Sequence, residues 1–402
     1  MDTPMANEID AIKKEALRRI DEVASSLVDV SHQIHAHPEE NFQEYFASEL
    51  LTRTASSHDL PVELNMFGCE TGFAGDVGDG PTVCIMSEYD ALPEIGHGCG
   101  HNVIAAAGLG AAIGLAHVAS AAGGRLRYLG TPAEEGGGGK LVMAQHGALT
   151  DVDVAMMVHS ADADLTSIDA IALQQLVVDY HGLASHAAAA PQEGRNALDA
   201  AVLGYMAVAT LRQHILPTER IHGVFLRGGD KPNIVPHDAS TQWYVRSDTM
   251  TSLQALKPRV LAALESGAHA CGCTMTHEWQ GTAYADMITN NALAALYIDN
   301  SASLGRRVTA PSQGHRVVGS TDMGNISHLV PSIHPMIASA TPGTSIHTVE
   351  FQKQSISAMA DKAVIDGAKA MALTAIDYWT SPTAQRAIRD EFERVNPDKD
   401  VL

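Results

Sequence analysis

The stretch TVCIMSEYDALPEIGHGCGHNVIAAAGLGAAIGLAHVA, residues 82–119, decides the fold. Its first eleven residues form a short apolar run that predicts a strand, and residues 103–119 form an Ala-rich apolar segment that predicts a buried helix. His97, Cys99 and His101 lie between them in a Gly-rich turn. Such a turn is compatible with a metal site, a reactive thiol or a purely structural role.

The same alternation continues on both sides of this stretch. RLRYLGTPAEE (125–135) and VDVAMMVHS (152–160) predict strands, and KLVMAQHG (140–147) predicts a helix between them. Apolar side chains at helical spacing from Ile9 to Ile34 predict an amphipathic opening helix. Strands and helices in alternation predict a mostly parallel sheet with helices on both faces, the α/β class.

The pattern changes near residue 172. Residues 172–286 predict the order strand, helix, strand, strand, helix, strand, which is the split ferredoxin-like α+β unit. We therefore expect two domains: a catalytic domain formed by residues 1–171 and 287–402, interrupted by a lid or dimerisation domain over 172–286. A chain of 402 residues exceeds the roughly 250–300 residues at which one core stops growing, which agrees with two domains.

Composition limits the possible partners and compartments. The formal net charge of −21, with no basic stripe, argues against a nucleic-acid partner. The longest apolar run, near 103–120, contains glycines and a histidine and suits a buried helix better than a membrane span. The first twenty residues are acidic and basic rather than apolar, and five cysteines lack a disulfide framework spacing, so we expect a cytoplasmic protein.

Candidate metal-binding side chains follow several predicted strands. Asp90 follows the first strand, Glu134 and Glu135 end the second, and His159 ends the third. Because the carboxyl ends of parallel strands meet at one edge of a sheet, these side chains are expected to converge. Thiolate, imidazole and carboxylate are suitable ligands for a metal that activates water, and a second carboxylate can take the proton of that water. Taken singly, each also fits a structural turn, a solvated acidic corner or a core histidine.

Five motifs resemble one enzyme family: EYDALPEIGHGCGHN, GTPAEEGGGGK, GLASHAAAAPQEGRNALDA, GGDKPNIVP, and GSTDMG with GTSIHTVEF. Together they are similar to the dinuclear metallo-amidohydrolases of peptidase family M20. The similarity is greatest to the branch with p-aminobenzoyl-glutamate hydrolase, auxin-conjugate amidohydrolases and M20 domain-containing dipeptidases. The resemblance covers nearly the whole chain, in order.

The resemblance implies a set of roles. Glu134 would be the general base and acid, and His186 would donate a hydrogen bond to the reacting oxygen in the partner subunit of a homodimer. Asn233 and Arg246 would bind polar groups of the substrate, often a carboxylate. Two divalent ions, zinc or manganese, would be held by Cys99 as the bridge and by His101, Glu135, His159 and His347.

The sequence departs from the commonest family pattern at the end of the first strand. The family usually has His-x-Asp there, whereas this chain has Glu88-Tyr89-Asp90. Asp90 is expected to orient a ligand, Glu88 has no assigned role, and His97 is expected near the metals without binding them. The implied activity is hydrolysis of the amide or peptide bond of small N-acyl amino acids or dipeptides. The alternatives are a cysteine-nucleophile hydrolase using Cys99 with His101, and a non-catalytic metal-stabilised binding protein.

Overall fold

The computed structural model describes residues 6–311, 318–395 and 401–402. The chain divides into two compact units. Unit 1 comprises Met1–Asp169, Met287–Asp400 and Leu402, and unit 2 comprises Ala170–Asp286 and Val401. Within the described ranges, no helix combines the length and the apolar character that crossing a bilayer requires.

The strands and helices are numbered in chain order. The strands are β1 (Glu63–Leu64), β2 (Phe73–Gly78), β3 (Thr82–Glu88), β4 (Arg125–Thr131), β5 (Val154–Met156), β6 (His159–Ala161), β7 (Asp169–Ala170), β8 (Ala172–His181), β9 (Arg220–Arg227), β10 (Asp238–Ser247), β11 (Thr274–Tyr284), β12 (Val318–Gly319), β13 (Ser332–Ile333) and β14 (Met336–Ala338). The helices are α1 (Ala6–Glu22), α2 (Ala24–Ala36), α3 (Tyr45–Ser57), α4 (His101–Ala116), α5 (Gly139–Gln145), α6 (Ala197–Leu211), α7 (Met250–Cys271), α8 (Asn291–Ser303), α9 (Met323–Leu329), α10 (Val349–Gln354), α11 (Ala358–Thr380) and α12 (Pro382–Val395).

Unit 1 is built on a six-stranded sheet in the order β1-β2-β4-β3-β5-β13. Strand β3 runs parallel to both β4 and β5, and β13 runs parallel to β5. Strand β2 pairs antiparallel with β4 and therefore begins an antiparallel edge. The α/β class and the mostly parallel sheet are confirmed.

Helices cover both faces of this sheet. Because side chains alternate along a strand, β3 contributes to two apolar clusters. Val83 and Ile85 belong to the cluster that includes residues of α1, α2, α4 and α11, while Cys84 and Met86 belong to the cluster that includes residues of α5 and α9. All seven β3 side chains are buried, which explains why the sequence of this strand is apolar throughout.

Two predicted elements are divided in the structure. The expected strand over 152–160 becomes β5 and β6, and β6 pairs with β14 in a separate two-stranded sheet. The parallel partner changes at Pro335, which has no N–H to donate, and the Nδ1 of His334 donates to the carbonyl of Met157 instead. The expected opening helix is divided between α1 and α2 at Val23, whose φ of −101° and ψ of 4° leave the helical region.

Unit 2 has the order β8-α6-β9-β10-α7-β11. Its four strands form an antiparallel sheet in the order β11-β8-β10-β9, the ferredoxin-like arrangement. Side chains of β8 alternate between buried and partly exposed, so one face of the sheet is covered. Tyr180, on the covered face, donates to the carbonyl of Leu264 in α7 and fixes this helix on the sheet.

Candidate metal centre

The carboxyl ends of three neighbouring strands of unit 1 bring the candidate residues together. Strand β3 ends at Glu88, β4 is followed by Glu134 and Glu135, and β5 leads to His159 at the start of β6. Because β3 lies between β4 and β5 and all three run parallel, their ends share one edge of the sheet. This is the edge at which open α/β sheets bind ligands.

Gly100 positions Cys99 and His101 at this edge. It precedes α4 in the left-handed region, with a φ of 77°, which glycine adopts without strain. A Cβ atom at this position would lie 2.4 Å from the Oγ of Ser160, next to His159. The glycine therefore allows the turn before α4 to approach β6 closely enough for Cys99 and His159 to meet.

The donor atoms form two groups that share Cys99. In one group the ligand atoms of Cys99, His101 and His159 lie within 4.8 Å of one another, and in the other those of Cys99, Glu135 and His347 do. The Sγ of Cys99 is 3.6 Å from the Nε2 of His159, and the Nε2 of His347 is 3.6 Å from the Oε2 of Glu135. Two donor groups with one common thiol fit two ions joined by a bridging ligand.

The hydrogen bonds of the imidazoles leave lone pairs directed into the centre. His101 donates from Nδ1 to Asp90 Oδ1 at 3.1 Å, and His159 donates from Nδ1 to the carbonyl of Ser160 at 2.7 Å. Asp90 Oδ2 also accepts from the backbone N–H of Glu135 at 2.9 Å. Within the described residues, the buried Nε2 of His101 and Oε1 of Glu135 have no hydrogen-bond partner. Unpaired buried acceptors are costly, and a bound cation satisfies them, so these residues fit a metal.

Burial and charge shift the pKa values of these groups in informative directions. Burial lowers the pKa of His159 to about 3, so its imidazole is neutral at neutral pH and able to bind a metal. Burial and the carboxylate of Glu135 raise the pKa of the Cys99 thiol well above its usual value. Burial, together with the charges of Glu88 and Glu135, also raises the pKa of Glu134 well above its usual value. A bound cation would favour the thiolate and carboxylate forms.

Glu44, which precedes α3, supports the turn that carries the two glutamates. Its Oε1 accepts from the backbone N–H of Ala133 at 2.9 Å, and Ala133 has a left-handed φ of 57°. Its Oε2 accepts from the hydroxyl of Thr71 at 2.8 Å. Burial raises the pKa of Glu44 to about 7, although the hydrogen bonds from Thr71 and the backbone oppose the shift.

Glu44 makes the stability of the wild-type protein depend on pH in a defined direction. Its folded pKa of about 7 lies above its ordinary value of 4.5, so its favourable contribution is complete below about pH 4.5 and is lost as pH rises through 7. Glu44→Gln, which resembles the protonated acid, should remove this loss. We expect the variant to gain about 2 kcal/mol relative to wild type between pH 5 and pH 8.

The measurement is the thermal unfolding midpoint of the two proteins across this pH range. Thr54→Ser, a small change on the partly exposed side of α3, serves as the control and should follow wild type. Parallel pH profiles for wild type and Glu44→Gln would contradict the assigned pKa.

Unit 2 contains the three remaining predicted residues. His186 is exposed in a loop, and its Nδ1 accepts from the backbone N–H groups of Ala188 and Ala189 at 3.2 and 3.1 Å. Its Nε2 therefore carries the proton and can donate it. Asn233 lies beside this loop, where its carbonyl accepts from the N–H of Ala187. Arg246 is on β10, with its guanidinium 5.8 Å from the centre of the Tyr244 ring.

Sequence reasoning missed one buried ionic cluster at the metal centre. Lys140 Nζ lies 2.7 Å from Glu88 Oε2 and 2.7 Å from Asp322 Oδ1, and none of the three side chains is exposed. Lys140 and Asp322 lie inside motifs that resemble the family, but a lysine after a glycine run carries no signal that it is buried. His97, for which no binding role was expected, donates from Nε2 to the carbonyl of Ile34 at 3.1 Å.

Fold and donor set together define a hydrolase of the metal-dependent type, with its ligand atoms at the carboxyl edge of a parallel sheet. The chain belongs to Peptidase family M20/M25/M40, whose sequence profile matches residues 84–375. The protein is accordingly a hydrolase of amide bonds in a metal-dependent family. The expected family is confirmed.

Two curated relatives and one solved structure illustrate the similarity. The chain is 37% identical to the Xaa-Arg dipeptidase of Mus musculus, over 97% of this chain and 94% of the relative. It is 28% identical to a polypeptide of the p-aminobenzoyl-glutamate hydrolase of Escherichia coli, over 91% of this chain and 92% of the relative. The crystal structure of a dinuclear metal binding peptidase of the M20 family from Bacillus subtilis matches with a TM-score of 0.69 and 17% identity, covering 89% of this chain and 98% of that chain.

Proposed function

We propose that this protein is a two-metal hydrolase that cleaves the amide or peptide bond of a small N-acyl amino acid or a dipeptide. The observation that carries the proposal is the pair of donor groups sharing Cys99, with unpaired lone pairs on His101 and Glu135 directed into the centre. The names of the relatives support the substrate class, since they include a dipeptidase and a p-aminobenzoyl-glutamate hydrolase. Zinc or manganese suits the mixed thiolate, imidazole and carboxylate donors.

Each side chain has a distinct task in this proposal. The bound ions would make a water nucleophilic and would polarise the carbonyl of the substrate. Glu134 takes the proton of the attacking water and returns it to the leaving nitrogen, and its raised pKa suits a group that must hold this proton. Asp90 holds His101 in one tautomer and fixes the backbone of Glu135.

The proposed lid is residues 172–286, and the proposed assembly is a homodimer. Strand β9 is an edge strand of the unit 2 sheet, and its Val224, Phe225 and Leu226 are 58, 42 and 56% exposed. Exposed apolar side chains on a free edge strand favour pairing with a second chain. In the dimer, His186 would donate from Nε2 to the reacting oxygen in the partner subunit, while Asn233 and Arg246 would bind polar groups of the substrate.

Mixing two inactive variants tests the role of His186 across the dimer. In a heterodimer of His186→Ala and Glu134→Gln chains, one active site has its own Glu134 and receives the intact His186 of its partner. Random exchange makes half of the dimers mixed, with one working site each, so we expect about one quarter of wild-type activity to return. Activity is measured before and after exchange, which is verified with differently tagged chains. Complete exchange without recovery would refute action across the dimer.

The proposed function itself is tested by metal analysis combined with hydrolysis. The substrate panel contains dipeptides ending in arginine, other dipeptides, N-acyl amino acids and p-aminobenzoyl-glutamate, each assayed before and after chelation. We expect two ions per chain, loss of hydrolysis on chelation, and recovery with zinc or manganese. Metal binding without hydrolysis of any substrate would favour a non-catalytic binding protein.

The cysteine-nucleophile alternative is disfavoured by the environment of Cys99. A nucleophilic cysteine requires a lowered pKa, whereas burial and the carboxylate of Glu135 raise the pKa of this thiol. A thiol in such surroundings loses its proton most readily to a metal ion. Hydrolysis that continues in metal-free protein and stops on thiol alkylation would reverse this conclusion. We further propose a cytoplasmic location, which suits the five free cysteines.

A further inference from the structure

The ionic cluster of Lys140, Glu88 and Asp322 holds one carboxylate rigidly beside the metal centre. Asp322 fixes Lys140 twice, by accepting from Nζ at 2.7 Å and from the backbone N–H at 3.0 Å. Lys140 in turn donates to Glu88 Oε2 at 2.7 Å. Only one oxygen of Glu88 takes part in this cluster, and the side chain is fully buried at the end of β3. The position of the other oxygen is therefore determined by the cluster.

That second oxygen, Oε1, faces two imidazole nitrogens. It lies 3.3 Å from His101 Nε2 and 3.9 Å from His159 Nε2. Both rings donate from Nδ1 to other acceptors, so their Nε2 atoms present lone pairs when the rings are neutral. Among the described residues, Glu88 Oε1 and His101 Nε2 are buried without a hydrogen-bond partner. Three acceptors that face one another repel unless a cation lies among them.

We propose that Glu88 is an additional ligand of the metal centre, binding through Oε1 the ion held by His101 and His159. The inference rests on the proposed two-metal function. Lys140 occupies Oε2 and makes the carboxylate a donor of one oxygen only, while Asp322 balances the charge of the lysine. The ion held by the two imidazoles would thus gain a hard oxygen donor in addition to the Cys99 thiolate.

The test compares three variants by metal content and by spectroscopy. Glu88→Gln removes the ligand charge, and Glu88→Asp keeps the charge but withdraws the oxygen by one methylene. Asp322→Asn is the matched control, because it removes an equal charge from the other side of Lys140 and leaves both Glu88 oxygens in place. Each protein is equilibrated with a competing chelator, its zinc and manganese content is measured, and its folding is checked by thermal unfolding. Co²⁺-loaded samples report the coordination of the ion and the thiolate bond.

We expect both Glu88 variants to bind one of the two ions at least about tenfold more weakly, while Asp322→Asn retains both ions. The thiolate absorption of the Co²⁺ form should persist in the Glu88 variants, and its ligand-field bands should change. Equal metal affinity in all four proteins would overturn the inference and leave the proposed function intact. Equal losses in Glu88→Gln and Asp322→Asn, with no loss in Glu88→Asp, would assign the effect to charge and overturn ligation. Wild-type protein that binds no metal would refute the proposed function itself.

Discussion

Glu134→Gln is expected to lower kcat by about 10²- to 10⁴-fold while both ions remain bound. The substitution keeps the shape of the side chain but removes the group that takes a proton from water and gives it to the leaving nitrogen. Its carboxylate Oε2 is 4.0 Å from His101 Nε2, close enough to act at the centre. The loss should appear in kcat and kcat/KM together, because the proton is transferred in the transition state.

Steady-state kinetics on the best substrate of the panel, with metal analysis of the same samples, measures this effect. Glu94→Gln is the matched control, since it changes an exposed carboxylate in the loop before α4. Unchanged turnover in Glu134→Gln would refute the proton-transfer role. Loss of an ion from Glu134→Gln would instead make Glu134 a ligand.

Cys99→Ser is expected to weaken the binding of both ions, by at least about 100-fold for one of them. The thiol belongs to both donor groups, so its loss removes a ligand from each. A serine hydroxyl is a much weaker ligand than a thiolate for a borderline metal such as zinc. Because removal of even an indirect partner of a metal ligand costs 10- to 100-fold in affinity, removal of a bridging ligand should exceed that range.

Competition with a chelator measures these affinities, and activity should be lost in parallel. Cys69→Ser is the control, because Cys69 is equally buried and its Sγ lies 4.0 Å from the carbonyl of Gly139, outside both donor groups. Full occupancy of Cys99→Ser after the same competition would rule out Cys99 as a shared ligand.

The alternation of apolar segments was sufficient to predict the α/β class, the parallel sheet and the helices on both faces. Local patterns determine these features, since a strand such as β3 that is buried on both faces must be apolar throughout. The division of 152–160 into β5 and β6 was not predictable in the same way. It depends on Pro335, which is distant in the sequence and lacks the N–H that would continue the ladder.

The sequence by itself determined which residue types could bind metal and at which edge of the sheet they would meet. That prediction follows from strand direction, because the side chains after parallel strands share one edge. Only the tertiary structure decided which atoms of those side chains face one another. It directs the Nε2 of His101 toward Glu88 because Asp90 takes the Nδ1 proton, and it buries Lys140 between two acids. Such contacts depend on tertiary packing and rotamers, which spacing along the chain does not encode.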